Sequence, residues 1–207
     1  AMGKVRKLIP VFKPLIEEGE FSACREALEL GWLGMGSYVS AFETEVQRVI
    51  NAEDRFVAAV STGTAALHIA LIIAGVGPGD EVIVTPWTMS ATATSILHWN
   101  AIPVFADIEP DTFNIDPISI EKNITPYTKA IMAVDIFGHS CDIEAIMKIA
   151  DKYNLKVITD SAQSPGSFYN NNYTGTLSHV GGYSLNYHKH IHTGEGGIPV
   201  TNDDVIF

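Results

Sequence analysis

Cysteine is scarce in this sequence: Cys24 and Cys141 are the two cysteines in 207 residues. They make neither a disulfide framework nor a C-x-x-C pair, and a reduced cytoplasmic setting fits them best. Basic residues are few as well. Thirteen Lys and Arg stand against 24 Asp and Glu, for a net charge of −11. That balance argues against a nucleic-acid partner, which needs a basic face, and against an anionic membrane surface. No apolar run approaches the roughly 20 residues of a membrane span. The basic start, residues 1–7, leads into no apolar signal region. There is no internal repeat, no G-x-G-x-x-G dinucleotide pattern and no Gly-Lys P-loop. What remains is 46% hydrophobic and 18% charged, which excludes intrinsic disorder. A chain of this size buries roughly 70% of its unfolded surface, enough for a full core.

Apolar runs of strand length lie at residues 56–60, 81–85, 102–106, 130–135, 156–159, 182–185 and 198–201. Most are nearly continuous rather than alternating, the pattern of strands covered on both faces. Helical periods separate them at residues 64–74, 90–99, 119–123 and 142–153, the last opened by Asp142 as N-cap. The expected fold class is therefore α/β: a mostly parallel seven-stranded sheet between helices. Residues 1–50 read differently, as two helical stretches around Gly31-Trp32-Leu33-Gly34-Met35-Gly36, a tightly turned or flexible arm. Residues 51–207 read as the sheet domain. The ending at residues 203–207 follows the last strand run with no closing helix, and looks unfinished.

Three stretches carry chemistry. Ser61-Thr62-Gly63-Thr64-Ala65-Ala66-Leu67 follows one strand run and opens a helical one. A helix start offers free N–H groups and partial positive charge to a phosphate, Gly63 lets the backbone approach, and the Thr62 and Thr64 hydroxyls can donate. An ordinary N-capped helix reads the same way. Asp160-Ser161-Ala162-Gln163 follows the run at 156–159, and a carboxylate at the end of a parallel strand stands where open α/β sheets bind ligands. A simple turn before Pro165-Gly166 is the plain alternative. Between Ser184 and Gly197, three histidines and Lys189 fall within five residues, ahead of Gly194-Glu195-Gly196-Gly197. His188, His190 and His192 alternate, but the further carboxylate or thiolate of a metal site is not evident, so no metal is expected. A solvated basic loop is the other reading. A loop lysine, a strand-end carboxylate and a phosphate cup are the parts a pyridoxal phosphate site needs.

These motifs, in this order, resemble the DegT/DnrJ/StrS family of sugar aminotransferases, which are fold-type I pyridoxal phosphate enzymes. The resemblance runs from Ile9 to Asn202 and also includes Gly36, Phe42-Glu43 and Phe137-Gly138-His139. It implies pyridoxal 5'-phosphate as cofactor and transfer of an amino group, from glutamate or glutamine, to a nucleotide-linked keto sugar, in making deoxyamino sugars for cell-surface polysaccharide. It implies that Lys189 forms the Schiff base and shuttles protons, and that Asp160 pairs with the pyridinium nitrogen. Two unit charges 4 Å apart at an effective dielectric near 20 are worth about 4 kcal/mol, enough to keep that nitrogen protonated. Gln163 would bond the phenolic oxygen. The Gly63 and Thr64 amides, with the Ser184 hydroxyl, would hold the phosphate. Met89 stands where the family places an aromatic over the cofactor ring, with Trp87 as the other candidate. A homodimer is implied, with Trp32 reaching an active site across its interface.

The family's second, smaller domain is expected to be absent from this chain, which would then fold and self-associate with little or no turnover of its own. Two alternatives stand beside transamination. One is a cofactor-binding but non-catalytic or regulatory module. The other is sugar dehydration, which the resemblance associates with histidine at the lysine position. The spacing from Lys189 to Gly194 favours Lys189 over its histidine neighbours.

Overall fold

The computed structural model describes residues 12–202; the basic start at 1–7, the beginning of the resemblance at Ile9 and the ending at 203–207 lie outside the described residues. Helices α1 (Glu18–Glu29) and α2 (Ser37–Val49) come first, and neither contains a buried residue. Between them Trp32 donates from Nε1 to the Met35 carbonyl at 2.6 Å, and its ring occupies the space a Cβ at Gly36 would need.

The chain then alternates between strand and helix. It runs through β1 (Phe56–Val57), α3 (Gly63–Ile73), β2 (Glu81–Val84), α4 (Ser90–His98), β3 (Ile102–Phe105), α5 (Pro117–Lys122) and β4 (Thr128–Val134). A 3-10 turn at Ile136–Gly138 leads to α6 (Ile143–Tyr153), β5 (Lys156–Asp160), β6 (Phe168–Tyr169), β7 (Asn172–Tyr173), β8 (Val180–Ser184) and β9 (Gly197–Thr201). Seven strands form one sheet in the order β1-β9-β8-β5-β4-β2-β3. The pairings β2–β3, β2–β4, β4–β5 and β5–β8 are parallel, and β9 runs against both its neighbours. Each of the seven apolar runs holds a strand of this sheet. The hairpin β6–β7 was not anticipated; its turn places Asn170 and Asn171 at φ 47° and 65°, the left-handed pair a two-residue hairpin loop requires.

Continuous hydrophobicity is explained by helices on both faces. Val82, Val84, Ala130, Met132 and Ile158 pack with Ala70, Leu71 and Ile96 of α3 and α4. The alternate residues Ile83, Ile131, Ala133 and Val157 pack with Ile120, Ile143, Ile146 and Ala150 of α5 and α6. Successive side chains of one strand thus enter two separate cores. Asp142 caps α6 by accepting from the Ala145 N–H at 3.1 Å, and Asn154 ends it at φ 55°.

Close approach constrains β8. A Cβ at Gly181 would overlap the carbonyl of Gly175, a backbone atom that cannot swing aside. Gly181→Ala is expected to lower the unfolding free energy by about 3 kcal/mol, as overpacking does. Gly79→Ala, where only the positive φ of 87° resists and no atom lies within 4 Å, should cost about 1 kcal/mol. Urea unfolding checks both, and equal costs would contradict the close-packing account.

Candidate active site

The C-terminal ends of the parallel strands surround a cavity of about 290 Å³, near the small end of the roughly 300–1,000 Å³ typical of small-molecule sites. Its lining draws Val134 from the end of β4, Asp160 from the end of β5, Ser184 from the end of β8, the start of α3, and the turn before α4. All seven residues singled out in the sequence, Gly63, Thr64, Met89, Asp160, Gln163, Ser184 and Lys189, line it.

The start of α3 forms one wall. Thr62 is the N-cap, and its Oγ1 accepts from the Ala65 N–H at 3.0 Å. Ala66 N–H donates to the Thr62 carbonyl at 3.1 Å. The Gly63 and Thr64 N–H groups are left without a partner inside the helix, at its positive end. Gly63 is required by packing: a Cβ there would stand 2.7 Å from the Ser184 Cβ. Gly197, opposite, would drive a Cβ into the Thr62 carbonyl. These glycines let the turn that opens α3 pack against β8 and β9.

Asp160 is 4% exposed. Its Oδ2 accepts from Thr92 Oγ1 at 2.7 Å and its Oδ1 from the Ala162 N–H at 3.1 Å. Burial pushes its carboxyl above the ordinary aspartate value, against the pull of these two bonds and of the Lys189 charge. Gln163, three residues on, accepts at Oε1 from the Phe137 N–H at 2.7 Å, which leaves its NH₂ to donate into the cavity.

Lys189 sits on the loop between β8 and β9. The loop is closed at its base by Leu185 N–H to the Gly196 carbonyl (2.9 Å) and Tyr187 N–H to the Gly194 carbonyl (2.8 Å), and Asn186 Nδ2 donates to Glu195 Oε1 at 2.5 Å. The Lys189 N–H itself bonds the Asn186 carbonyl at 2.8 Å. Burial holds its ammonium below the ordinary lysine value, with the Asp160 charge working in the opposite direction. More of the amine is therefore neutral, the form that attacks a carbonyl.

Other expectations separate here. Met89 lines the cavity; Trp87 is outside its lining and lies against Phe113, ring centroids 6.0 Å apart. Trp32, 69% exposed, is not among the lining residues. His188 borders the cavity, while His190 and His192 face a neighbouring groove with Phe12 and Glu20. Among the described residues no group of His, Cys, Asp or Glu is placed to hold a metal. Sequence reading missed Thr92, 68 residues before Asp160, and Thr88, whose hydroxyl lies 2.8 Å from that of Thr92. Thr88 precedes the Met89 N-cap of α4, so no helical spacing in the sequence signalled the pair.

Residues 14–207 match the model of the DegT/DnrJ/EryC1/StrS aminotransferase family. The spore coat polysaccharide biosynthesis protein SpsC of Bacillus subtilis is 41% identical over 201 residues, covering 97% of this chain and 51% of that protein. GDP-perosamine synthase of Escherichia coli O157:H7 is 39% identical over 202 residues, covering 97% and 55% respectively. The solved structure of a putative sugar aminotransferase from Streptococcus pneumoniae in its PLP form superposes with a TM-score of 0.90 at 29% identity, covering 96% of this chain and 54% of that one. The chain thus spans about half the length of the curated relatives it matches. With the fold, the order of the motifs and the family model in agreement over nearly all its residues, the chain belongs to the DegT/DnrJ/EryC1/StrS aminotransferase family.

Proposed function

We propose that this protein is a pyridoxal-phosphate-dependent aminotransferase acting on a nucleotide-linked keto sugar, with glutamate or glutamine as amino donor. One observation carries the reading. A single cavity brings together the amine of Lys189, the buried carboxylate of Asp160 and the unpartnered amides at the start of α3. These residues fit the cofactor's three polar features: an anion for the Gly63 and Thr64 amides with the Ser184 hydroxyl, a ring nitrogen for Asp160, and a carbonyl carbon for Lys189. When bound, pyridoxal phosphate supplies a carbonyl that takes up the amino group and a ring that accepts the electron pair left on the substrate carbon.

Each side chain then has its task. The Lys189 amine holds the cofactor and moves a proton at the substrate carbon. Asp160 keeps a proton on the ring nitrogen, and that positive charge in turn favours the ionised carboxylate that burial alone disfavours. Gln163 and Met89 both line the cavity, where Gln163 Nε2 would hold the phenolic oxygen and the polarisable thioether of Met89 would be offered to the ring. Residues 51–207 act as the cofactor-binding domain and 1–50 as an arm that meets a second copy, its exposed Trp32, Leu33 and Met35 supporting that contact. The free thiols of Cys24 and Cys141 support a cytoplasmic setting.

Sugar dehydration with histidine in the lysine's place is the weaker reading. Lys189 is the partly desolvated amine, whereas His188 is exposed and its ring contacts Phe12 and Tyr187 at 5.9 and 5.4 Å.

Borohydride reduction after loading with pyridoxal phosphate is expected to fix the label on the peptide containing Lys189, and Lys189→Ala should abolish it. A label on Lys156 would refute the assignment. Glutamate added to the loaded protein distinguishes a catalyst, whose visible absorbance shifts to the amine form of the cofactor, from a module that only holds it.

Asp160→Asn preserves shape and removes charge. The rate of that glutamate-driven change should fall on the order of 10²-fold or more, with cofactor still bound; an unchanged rate would contradict the role. In the cofactor-free protein the same variant has a pH signature. The raised carboxyl binds its proton more tightly folded than unfolded, so wild-type stability falls as pH rises from about 4 through the raised value. Asp160→Asn lacks this loss, so urea midpoints should show the variant gaining on wild type across that window.

A further inference from the structure

Asp135, 1% exposed, lies just after β4, beside the strand that ends in Asp160, and has no part in the reaction proposed. Three donors converge on its carboxylate. Ser161 Oγ donates to Oδ2 at 2.6 Å, Ser164 Oγ to the same oxygen at 3.3 Å, and the Cys141 N–H to Oδ1 at 3.1 Å. Its own N–H donates to the Asp160 carbonyl at 3.0 Å. The two serines flank Ala162 and Gln163, so one side chain grips the turn that follows Asp160 at both ends. The next residues grip it again: Phe137, at φ 54°, aims its N–H at Gln163 Oε1. Phenylalanine tolerates that conformation only when held, and Asn114 holds it, accepting from the Ile136 N–H at 3.1 Å and donating to the His139 and Ser140 carbonyls at 3.1 and 3.0 Å.

We infer that Asp135 is a positioning residue: its carboxylate fastens the Ser161–Ser164 turn so that Asp160 and Gln163 face the pyridine ring and phenolic oxygen of the cofactor in fixed geometry. The inference rests on the functional reading above. A carboxylate suits this place because it is acceptor-only and can take all three donors at once, whereas an amide would set its own N–H groups against one of them. Burial pushes the Asp135 carboxyl above its ordinary value, with the Ser161, Cys141 and Ser164 bonds opposing. Its charge also adds to the upward push on Asp160.

The test uses Asp135→Asn, which keeps the volume but turns an N–H group toward the donors that the carboxylate accepts, alone and with Asp160→Asn. In the full 207-residue chain, pyridoxal phosphate affinity and the pH titration of the visible absorbance of the Lys189-bound cofactor are measured, with circular dichroism to check the fold. Asp135→Asn should weaken cofactor binding about tenfold and shift the titration, and both effects should shrink in the Asp160→Asn background, because coupled residues are non-additive. If Asp135→Asn fails to fold, Ser161→Ala removes one fastening bond and carries the same expectations. Wild-type affinity and titration in a folded variant overturn the inference alone, as do equal losses in both backgrounds, the mark of general loosening. Failure of the unaltered chain to bind pyridoxal phosphate overturns both this inference and the functional reading.

Discussion

Taking the Asp160 carboxylate out of water costs solvation that only hydrogen bonds and opposite charge can return. Here the compensation arrives from three separate elements: the Thr92 hydroxyl on α4, the Ala162 N–H on the turn after β5, and the charge of Lys189 on the β8–β9 loop. The Ala162 N–H is local, but Thr92 and Lys189 come near Asp160 only when β8, β5, β4 and β2 are side by side. The order of the sheet and the state of the carboxylate are therefore linked. Even so the compensation is incomplete, and burial leaves a residual push toward protonation.

Close packing is the second constraint. The helix start that offers free amides is useful only if its open end looks into the same cavity as Asp160. Contact between Gly63 and Ser184, and between Gly197 and the Thr62 carbonyl, achieves this by removing the side chains that would hold α3 away from β8 and β9. The pair Gly196-Gly197 therefore has a structural reason of its own: Gly196 lies under Leu185 and Thr193, and Gly197 lies under the Thr62-Gly63 backbone.

Much of the architecture was legible because burial leaves a mark on composition. A strand with helices on both faces is apolar through its middle rather than at alternate positions, so the runs at 81–85 and 130–135 announced β2 and β4 before any pairing was known. Asp142 before an amphipathic period announced α6 and its cap. The short elements were harder. Strand β1 is two residues long because the chain leaves the sheet toward the Thr62 cap after a single further bridge from Val60 to Gly197. The hairpin β6–β7 hides in a polar stretch whose only signal is three successive asparagines between aromatics.

The sequence by itself determined the periods, the caps and the order of the motifs, since these depend on neighbours a few residues away. It also determined the candidates, because lysine, strand-end carboxylate and glycine-flanked helix start are chemical types that can be read without coordinates. Tertiary structure decided which of them meet. It set Met89 rather than Trp87 in the cavity wall, and gave Asp160 a threonine partner 68 residues away. It also turned Asp135, which in sequence is only the last residue of an apolar run, into the acceptor that three donors share. The reason is physical: hydrophobic periodicity records that a position is buried, but the direction of a hydrogen bond and the close approach of two backbones are fixed only when distant segments are packed together.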